Sequence, residues 1–195
     1  MHDPKMDPML GVFFSADPTP GRHTIGGGMY YNMMYLWDEV SWAPVTRKYP
    51  KSEEYIPSDN EALKSVAHSI YKMITDGAGG CFFAMIVGLP HWNLFTMLNY
   101  ATGWNLSADE YMVIGKRIQT LRQMFNIKHG IKPKDFMMGD RVIGKPPLKA
   151  GHLKGITLPV EEMVQLHWKH FGWNEATGAP EDKIADELKL NELLA

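Results

Sequence analysis

Apolar positions recur at helical spacing over several stretches of the chain, while strand signals are confined to isolated short runs. Leu63, Val66, Ala67, Ile70, Tyr71 and Ile74 fall at three- and four-residue steps, one face of an amphipathic helix. Ser58 and Glu61 precede it with capping-box spacing, and Gly77, Gly79 and Gly80 break it. An apolar run, Phe82–Val87, follows the break, and Cys81 is expected in the first turn of that next helix. Gly88 and Pro90 interrupt again, and residues 91–101 predict a further helix closed by Gly103. Ser107 and Glu110 form a second capping pair ahead of the strongest helical stripe, Tyr111, Ile114, Ile118, Leu121 and Phe125, which ends near Gly130. Residues 160–171 predict a helix behind Pro159, and Pro180, placed at a first helical position, opens a short last one.

Between these helices the pattern is lost. Residues 1–28 are rich in Pro, Gly and Asp and read as extended loop, with a turn cluster at Asp17-Pro18-Thr19-Pro20-Gly21 ahead of His23. Residues 29–57 hold the aromatic and methionine-rich run Met29-Tyr30-Tyr31-Asn32-Met33-Met34-Tyr35-Leu36-Trp37 and then a connection spaced by Pro44, Pro50 and Pro57. They read as an aperiodic core segment followed by a surface loop. Residues 131–159 form a Pro- and Gly-rich stretch in which Lys132, Lys134, Arg141, Lys145, Lys149 and Lys154 outnumber Asp135 and Asp140. Such a run is either a solvated loop or a docking face for an acidic electron-transfer partner. The fold class expected is therefore all-α: one domain over residues 1–195, six or seven helices, long Pro/Gly-rich loops.

Composition narrows the function classes. Hydrophobic residues make up 45% of the 195, enough for a proper core. A formal charge of −2 with no basic stripe gives no attraction for nucleic acid. No apolar run reaches membrane-spanning length, and residues 1–6 show no signal-peptide character. A single cysteine excludes an intrachain disulfide framework and suits a reducing cytoplasm. The fourteen methionines have no repeated spacing and read as core fillers. His167 and His170 lie one helical turn apart, but without a third ligand at suitable spacing they read as structural or exposed.

The candidate chemistry gathers at Asp76-Gly77-Ala78-Gly79-Gly80-Cys81. Glycines let a main chain approach a ligand closely, a carboxylate accepts hydrogen bonds from ring N–H groups, and a thiolate at a helix start can bind iron. A lone cysteine in an apolar setting is more often an inert core residue. His23, on its turn cluster, is either a proton donor and acceptor near neutral pH or a surface histidine beside Gly26-Gly27-Gly28.

The pattern D-x-x-G-x-C, here Asp76, Gly79 and Cys81, resembles the second pterin-binding motif of the tungsten-containing aldehyde ferredoxin oxidoreductase family. Met1-His2-Asp3-Pro4-Lys5 resembles that family's H-D-P-R segment, and Phe14-Ser15-Ala16-Asp17-Pro18-Thr19-Pro20-Gly21-Arg22-His23-Thr24 its active-site histidine segment. Thr102-Gly103-Trp104 through Phe125-Asn126 is similar to the T-G-W…G-x-R-I…L-x-R-x-F-N run, and the segment from Leu158-Pro159 to Phe171-Gly172-Trp173-Asn174 to the closing section. The pieces cover nearly the whole chain in the family's order. Gly80 departs from it, standing where the family usually has leucine.

The resemblance implies an enzyme that oxidises aldehydes to carboxylic acids at a tungsten ion held by two pterins, passing electrons through a 4Fe-4S cluster to ferredoxin. By the same resemblance Asp76 and the backbone near Gly79 and Gly80 hold a pterin, Cys81 ligates the cluster, and His23 assists proton transfer or orients the substrate oxygen. A cubane cluster takes four protein ligands. With one cysteine, the chain is expected to be a C-terminal domain completed by upstream domains or by a partner subunit. Alone it is expected to bind neither cofactor tightly, to be inactive, to expose Cys81, Phe82 and the patch near Tyr30, and to self-associate. A related tungsten subunit acting on an aromatic acyl thioester, and a non-catalytic helical domain docking on a partner chain, are the alternatives.

Overall fold

The helix that begins behind Ser58 is the axis of the molecule. In the computed structural model, which describes residues 2–46, 51–87 and 93–191, it runs over Asp59–Gly77 (α3). Ser58 caps it, its Oγ accepting from the Glu61 N–H at 3.2 Å. The expected amphipathic face is only part of what α3 buries. From Lys64 to Thr75 every residue is buried, the polar ones included. A central helix with neighbours all round must find internal partners for its polar side chains. Lys64 Nζ donates to Glu61 Oε1 at 2.6 Å, and the Thr75 hydroxyl returns to the Tyr71 carbonyl. Ser65 Oγ donates to the Ala62 carbonyl at 2.7 Å and lies 2.7 Å from His167 Nδ1. Since the serine proton is already used, the imidazole Nδ1–H is the donor of the second bond.

Around α3 pack Pro8–Ala16 (α1), Gly28–Met34 (α2), Ala108–Lys128 (α6) and Val160–Phe171 (α8). Phe82–Val87 (α4), Leu94–Thr102 (α5), Asp140–Ile143 (α7) and Asp182–Glu187 (α9) complete nine α-helices among the described residues, with short 3₁₀ turns at His23–Ile25, Leu36–Asp38, Lys51–Tyr55 and Pro133–Phe136. No strand occurs among these residues, only two isolated bridges. The fold is one all-α domain with more helices than the six or seven expected, because several are a turn or two long.

The largest correction is α1, which lies inside the stretch read as loop. Pro8 occupies its first position, where a missing N–H costs nothing, and all nine of its residues are buried. Its sequence is almost wholly apolar, so it has no polar face and carries no period. Likewise α2 and two of the 3₁₀ turns fall within the segment read as aperiodic core and surface loop. The last helix starts at Asp182, while Pro180 pairs with Trp173 in a bridge. The break assigned to Gly88 and Pro90, and the position of His91, lie outside the described residues, and α5 begins at Leu94.

Helix α6 confirms its capping box, with the Glu110 N–H donating to Ser107 Oγ at 3.3 Å and the Ser107 N–H to Glu110 Oε2 at 2.8 Å. Its apolar stripe faces the core from Tyr111 to Leu121 and departs from the expected orientation at Phe125. The buried face is Tyr111, Met112, Gly115, Gln119, Thr120 and Gln123. Ile114, Ile118 and Leu121 are half-buried and Phe125 is exposed. Beyond Tyr111 and Met112, what α6 buries fully is small or polar, and the site explains why.

Candidate functional site

Three turns of α6 hold the loop that carries His23. Gln119 Nε2 donates to Asp17 Oδ2 at 2.7 Å, Arg122 donates to Thr19 Oγ1, and Asn126 Nδ2 donates to the Pro18 carbonyl at 2.7 Å. The loop braces itself as well, the Thr19 N–H reaching Asp17 Oδ1 at 2.7 Å. Gln119 spends both ends of its amide, because it also donates to Ser69 Oγ at 2.8 Å and accepts from Arg122. Asp17 is thus a buried carboxyl between two guanidinium groups, Arg122 at 3.8 Å and Arg22 at 3.9 Å. Burial raises its pKa above the ordinary value against the opposing pull of Arg122, the Thr19 N–H, Arg22 and Gln119.

His23 opens the 3₁₀ turn at His23–Ile25 and is half-buried, with the His2 ring edge-on at 5.1 Å. Beneath the following glycines lies a second, fully enclosed imidazole, His68. A Cβ on Gly26 would stand 2.6 Å from its ring, so only glycine lets the loop pass there. Phe13, Tyr31 and Phe82 surround that ring at centroid distances of 5.9, 6.4 and 6.4 Å. Burial drives its pKa down to about 3, with Lys72 adding to the shift and the Gly27 backbone opposing it. The Gly27 backbone is near but not aligned, since neither ring nitrogen has a hydrogen-bond partner among the described residues. Asp7 closes the loop from outside, its carboxylate accepting from the Gly28 N–H at 3.0 Å and the Met29 N–H at 3.3 Å.

The glycine turn ends α3 in a defined geometry. The Gly80 N–H donates to the Thr75 carbonyl at 2.8 Å and the Gly79 N–H to the Asp76 carbonyl at 3.0 Å, with Gly79 left-handed at φ +74°. This paired closure is a Schellman motif, and its left-handed position is the one that favours glycine. A Cβ on Gly79 would meet nothing within 4 Å, so the outer side of the turn is open. Cys81 is exposed and sits immediately before α4 rather than inside its first turn. Phe82, expected to be uncovered, is buried against Tyr30, the ring centroids 5.1 Å apart and edge-on. Met29 and Tyr35 in the aromatic patch are exposed, as anticipated for that patch.

Asp76 joins the two halves of the site. Lys72, buried on the preceding turn, donates to Oδ1, and its ammonium stands 5.4 Å from the Phe82 ring centroid. Arg22 NH1 approaches Oδ2 at 3.6 Å. The structure therefore brings the His23 turn beside Asp76, with Gly79, Gly80 and Cys81 next along the chain. The residues that sequence reading missed are Asp17, Arg22, Lys72, Gln119 and Arg122. Asp17 and Arg22 stood in the turn cluster and the histidine segment without a role of their own, and Lys72, Gln119 and Arg122 lay off the apolar stripes of α3 and α6. His167 and His170 are structural, one on Ser65 and the other 2.7 Å from Asp59 Oδ1. No group of three potential metal ligands occurs among the described residues. Two open grooves of about 620 and 720 Å³ lie elsewhere, one beside Tyr55 and His152 and the other beside Asp140 and Glu161.

Among the described residues no helix is long and apolar enough to cross a membrane. The family model for aldehyde ferredoxin oxidoreductase, domains 2 and 3, matches residues 1–190. The tungsten-containing aldehyde ferredoxin oxidoreductase of Pyrococcus horikoshii is 32% identical over 154 residues, covering 78% of this chain and 25% of the relative. The protein of the same description from Thermococcus kodakarensis matches with the same identity and coverage. That of Pyrococcus furiosus is 30% identical over 152 residues, 77% of this chain and 25% of its own length. The chain spans about a quarter of the length of these curated relatives.

Proposed function

Because the chain belongs to the aldehyde ferredoxin oxidoreductase family, we propose that it is the part of a tungsten oxidoreductase that carries one pterin contact, one cluster ligand and a substrate-side histidine. The substrate class is an aldehyde, the product a carboxylic acid, and the electron acceptor ferredoxin. The observation that carries this reading is the 3.6 Å approach of Arg22, next to His23, to Asp76 at the head of the glycine turn.

The residues present fit such cofactors. Asp76 is partly exposed, and its Oδ2 has Arg22 near it but outside hydrogen-bond range, leaving lone pairs for ring N–H donors. The open side of Gly79 admits a flat group against the backbone, and the exposed Cys81 thiol precedes a helix. When bound, tungstopterin and a 4Fe-4S cluster supply the oxidation and the electron path. This chain's part is placement. Asp76 orients the pterin ring, Cys81 offers a thiolate to the cluster, and His23 holds or moves a proton at the oxygen of the aldehyde or its hydrate.

A single cysteine cannot furnish the four ligands a cubane takes, so the 195-residue chain by itself holds neither group and oxidises no aldehyde. The decisive experiment is elemental analysis of the full-length enzyme. Cys81→Ser is expected to lose iron and Asp76→Ala to lose tungsten, each with activity. Unchanged metal content in both variants would overturn the assignment, and stoichiometric iron and sulfide in the purified 195-residue chain would overturn its dependence on other polypeptide.

A further inference from the structure

Arg22 is placed in a way that stability does not account for. Its NH2 stands 3.9 Å from Asp17 Oδ1 and its NH1 3.6 Å from Asp76 Oδ2, both beyond hydrogen-bond length. Nε and NH2 are buried without a hydrogen-bond partner among the described residues. Unsatisfied guanidinium donors are costly, and a residue selected for stability alone would close on one carboxylate. Neutralising Asp17 does not require it either, because Arg122 already stands 3.8 Å from the same oxygen. What distinguishes Arg22 is the second contact, to Asp76.

We propose that Arg22 is a positioning residue: its guanidinium spans the buried Asp17 and the Asp76 carboxylate and so fixes the His23 turn against the glycine turn. The inference rests on the functional reading above. Both anchors are themselves held, Asp17 by Gln119 on α6 and by the Thr19 N–H, Asp76 by Lys72 on α3. The fork therefore reaches between two fixed points, one just past the end of α1 and one on α3, and one peptide bond separates it from His23. A planar guanidinium presents two terminal nitrogens in divergent directions, while an ammonium is a single point charge. Lysine at this position would reach one carboxylate or the other, but not both.

The experiment compares Arg22→Lys and Arg22→Gln with the parent in the full-length enzyme, by three measurements. The first is metal content with melting temperature, expected to stay at the parent's values in Arg22→Lys. The second is aldehyde oxidation, expected to fall about tenfold or more in kcat/KM for both variants, mainly through kcat, because a small displacement of an aligned group is costly in rate. The third is carbethoxylation of His23, followed by peptide mass spectrometry with the exposed His152 as internal control. The His23 labelling rate is expected to change several-fold in both variants while that of His152 stays constant. Parent-like kcat/KM and labelling in Arg22→Lys would overturn the proposal, since charge alone would then suffice. Loss of activity only in proportion to lost metal or lowered melting temperature would overturn it too. The labelling responds to the His23 turn whether or not metal is bound. Failure of the cofactor assignment, seen in Asp76→Ala and Cys81→Ser, is therefore distinguishable from failure of the Arg22 proposal.

Discussion

Gly115 of α6 lies directly against the backbone of Ile70 in α3, so close that a Cβ on it would stand 2.4 Å from the Ile70 carbonyl oxygen. The obstructing atom is main chain in the middle of the central helix and cannot swing away. Alanine in place of glycine gains about 1 kcal/mol of helix propensity. Overpacking at a rigid contact costs about 1–3 kcal/mol, occasionally more. Contact with a fixed carbonyl puts this site at the upper end, so Gly115→Ala is expected to destabilise the fold by about 1–2 kcal/mol net. Urea unfolding of the two chains decides it; a variant as stable as the parent would mean that α3 and α6 part easily.

The two enclosed imidazoles make stability depend on pH. Burial lowers the pKa of His68 and of His167 to about 3, with His170 adding to the shift of the latter. Each stays neutral in the fold while the unfolded chain takes up a proton near pH 6.5. The unfolded state thus binds more protons between about pH 6.5 and 3, and stability falls as pH falls through that window. The slope is about 1.4 kcal/mol per pH unit for each histidine once well below pH 6.5. Denaturation midpoints at pH 7.5, 5.5 and 4.5 are expected to decline steadily. His167→Gln, whose amide can still donate to Ser65, is expected to show a shallower decline. Equal slopes in the two chains would show that His167 is not the buried neutral group described.

Cys81 is exposed on the far side of the glycine turn, and its removal leaves no cavity. The folded chain is expected to react with a thiol reagent at one equivalent without denaturant. Cys81→Ser is expected to change unfolding free energy by less than about 0.5 kcal/mol, the usual range for surface positions. A thiol that reacts only after unfolding would place it in the core and remove it from the proposed site.

How much of this was legible in the residues differs from helix to helix. Helices with one wet face announced themselves: α8 begins and ends where Val160 and Phe171 predicted, and both capping serines accept from the expected N–H groups. α1, enclosed all round and almost wholly apolar, gave no period, whereas α3 kept one because its buried polar side chains alternate with its apolar stripe. Asp76, Cys81 and His23 were singled out by resemblance to the family's motifs, and the fold brings the His23 turn beside Asp76. Arg22, Asp17 and Gln119 were not singled out, since a hydrogen bond across 102 positions and an ion pair from loop to α3 leave no mark on local spacing.

Two residues of α6 yield the sharpest contrast of all. Read by hydropathy, Phe125 belongs in the core and Gln119 in solvent. The fold has it the other way, with Phe125 56% and Gln119 1% exposed. Gln119→Leu is nearly conservative in volume, yet it strips Asp17 and Ser69 of a donor and Arg122 of an acceptor, all facing a buried carboxyl. Leaving buried groups unsatisfied costs about 1–3 kcal/mol each; Asp17 keeps the Thr19 N–H and Arg122 is partly exposed, so a total loss of about 2–4 kcal/mol is expected. Phe125→Ser removes a large apolar ring whose main neighbour is the exposed His129, and a change within about 0.5 kcal/mol is expected. Thermal and urea unfolding of the pair should therefore rank the polar-to-apolar change as the damaging one. The opposite ranking would mean that Phe125 packs in the core, and that the polar clamp on the His23 loop does not form.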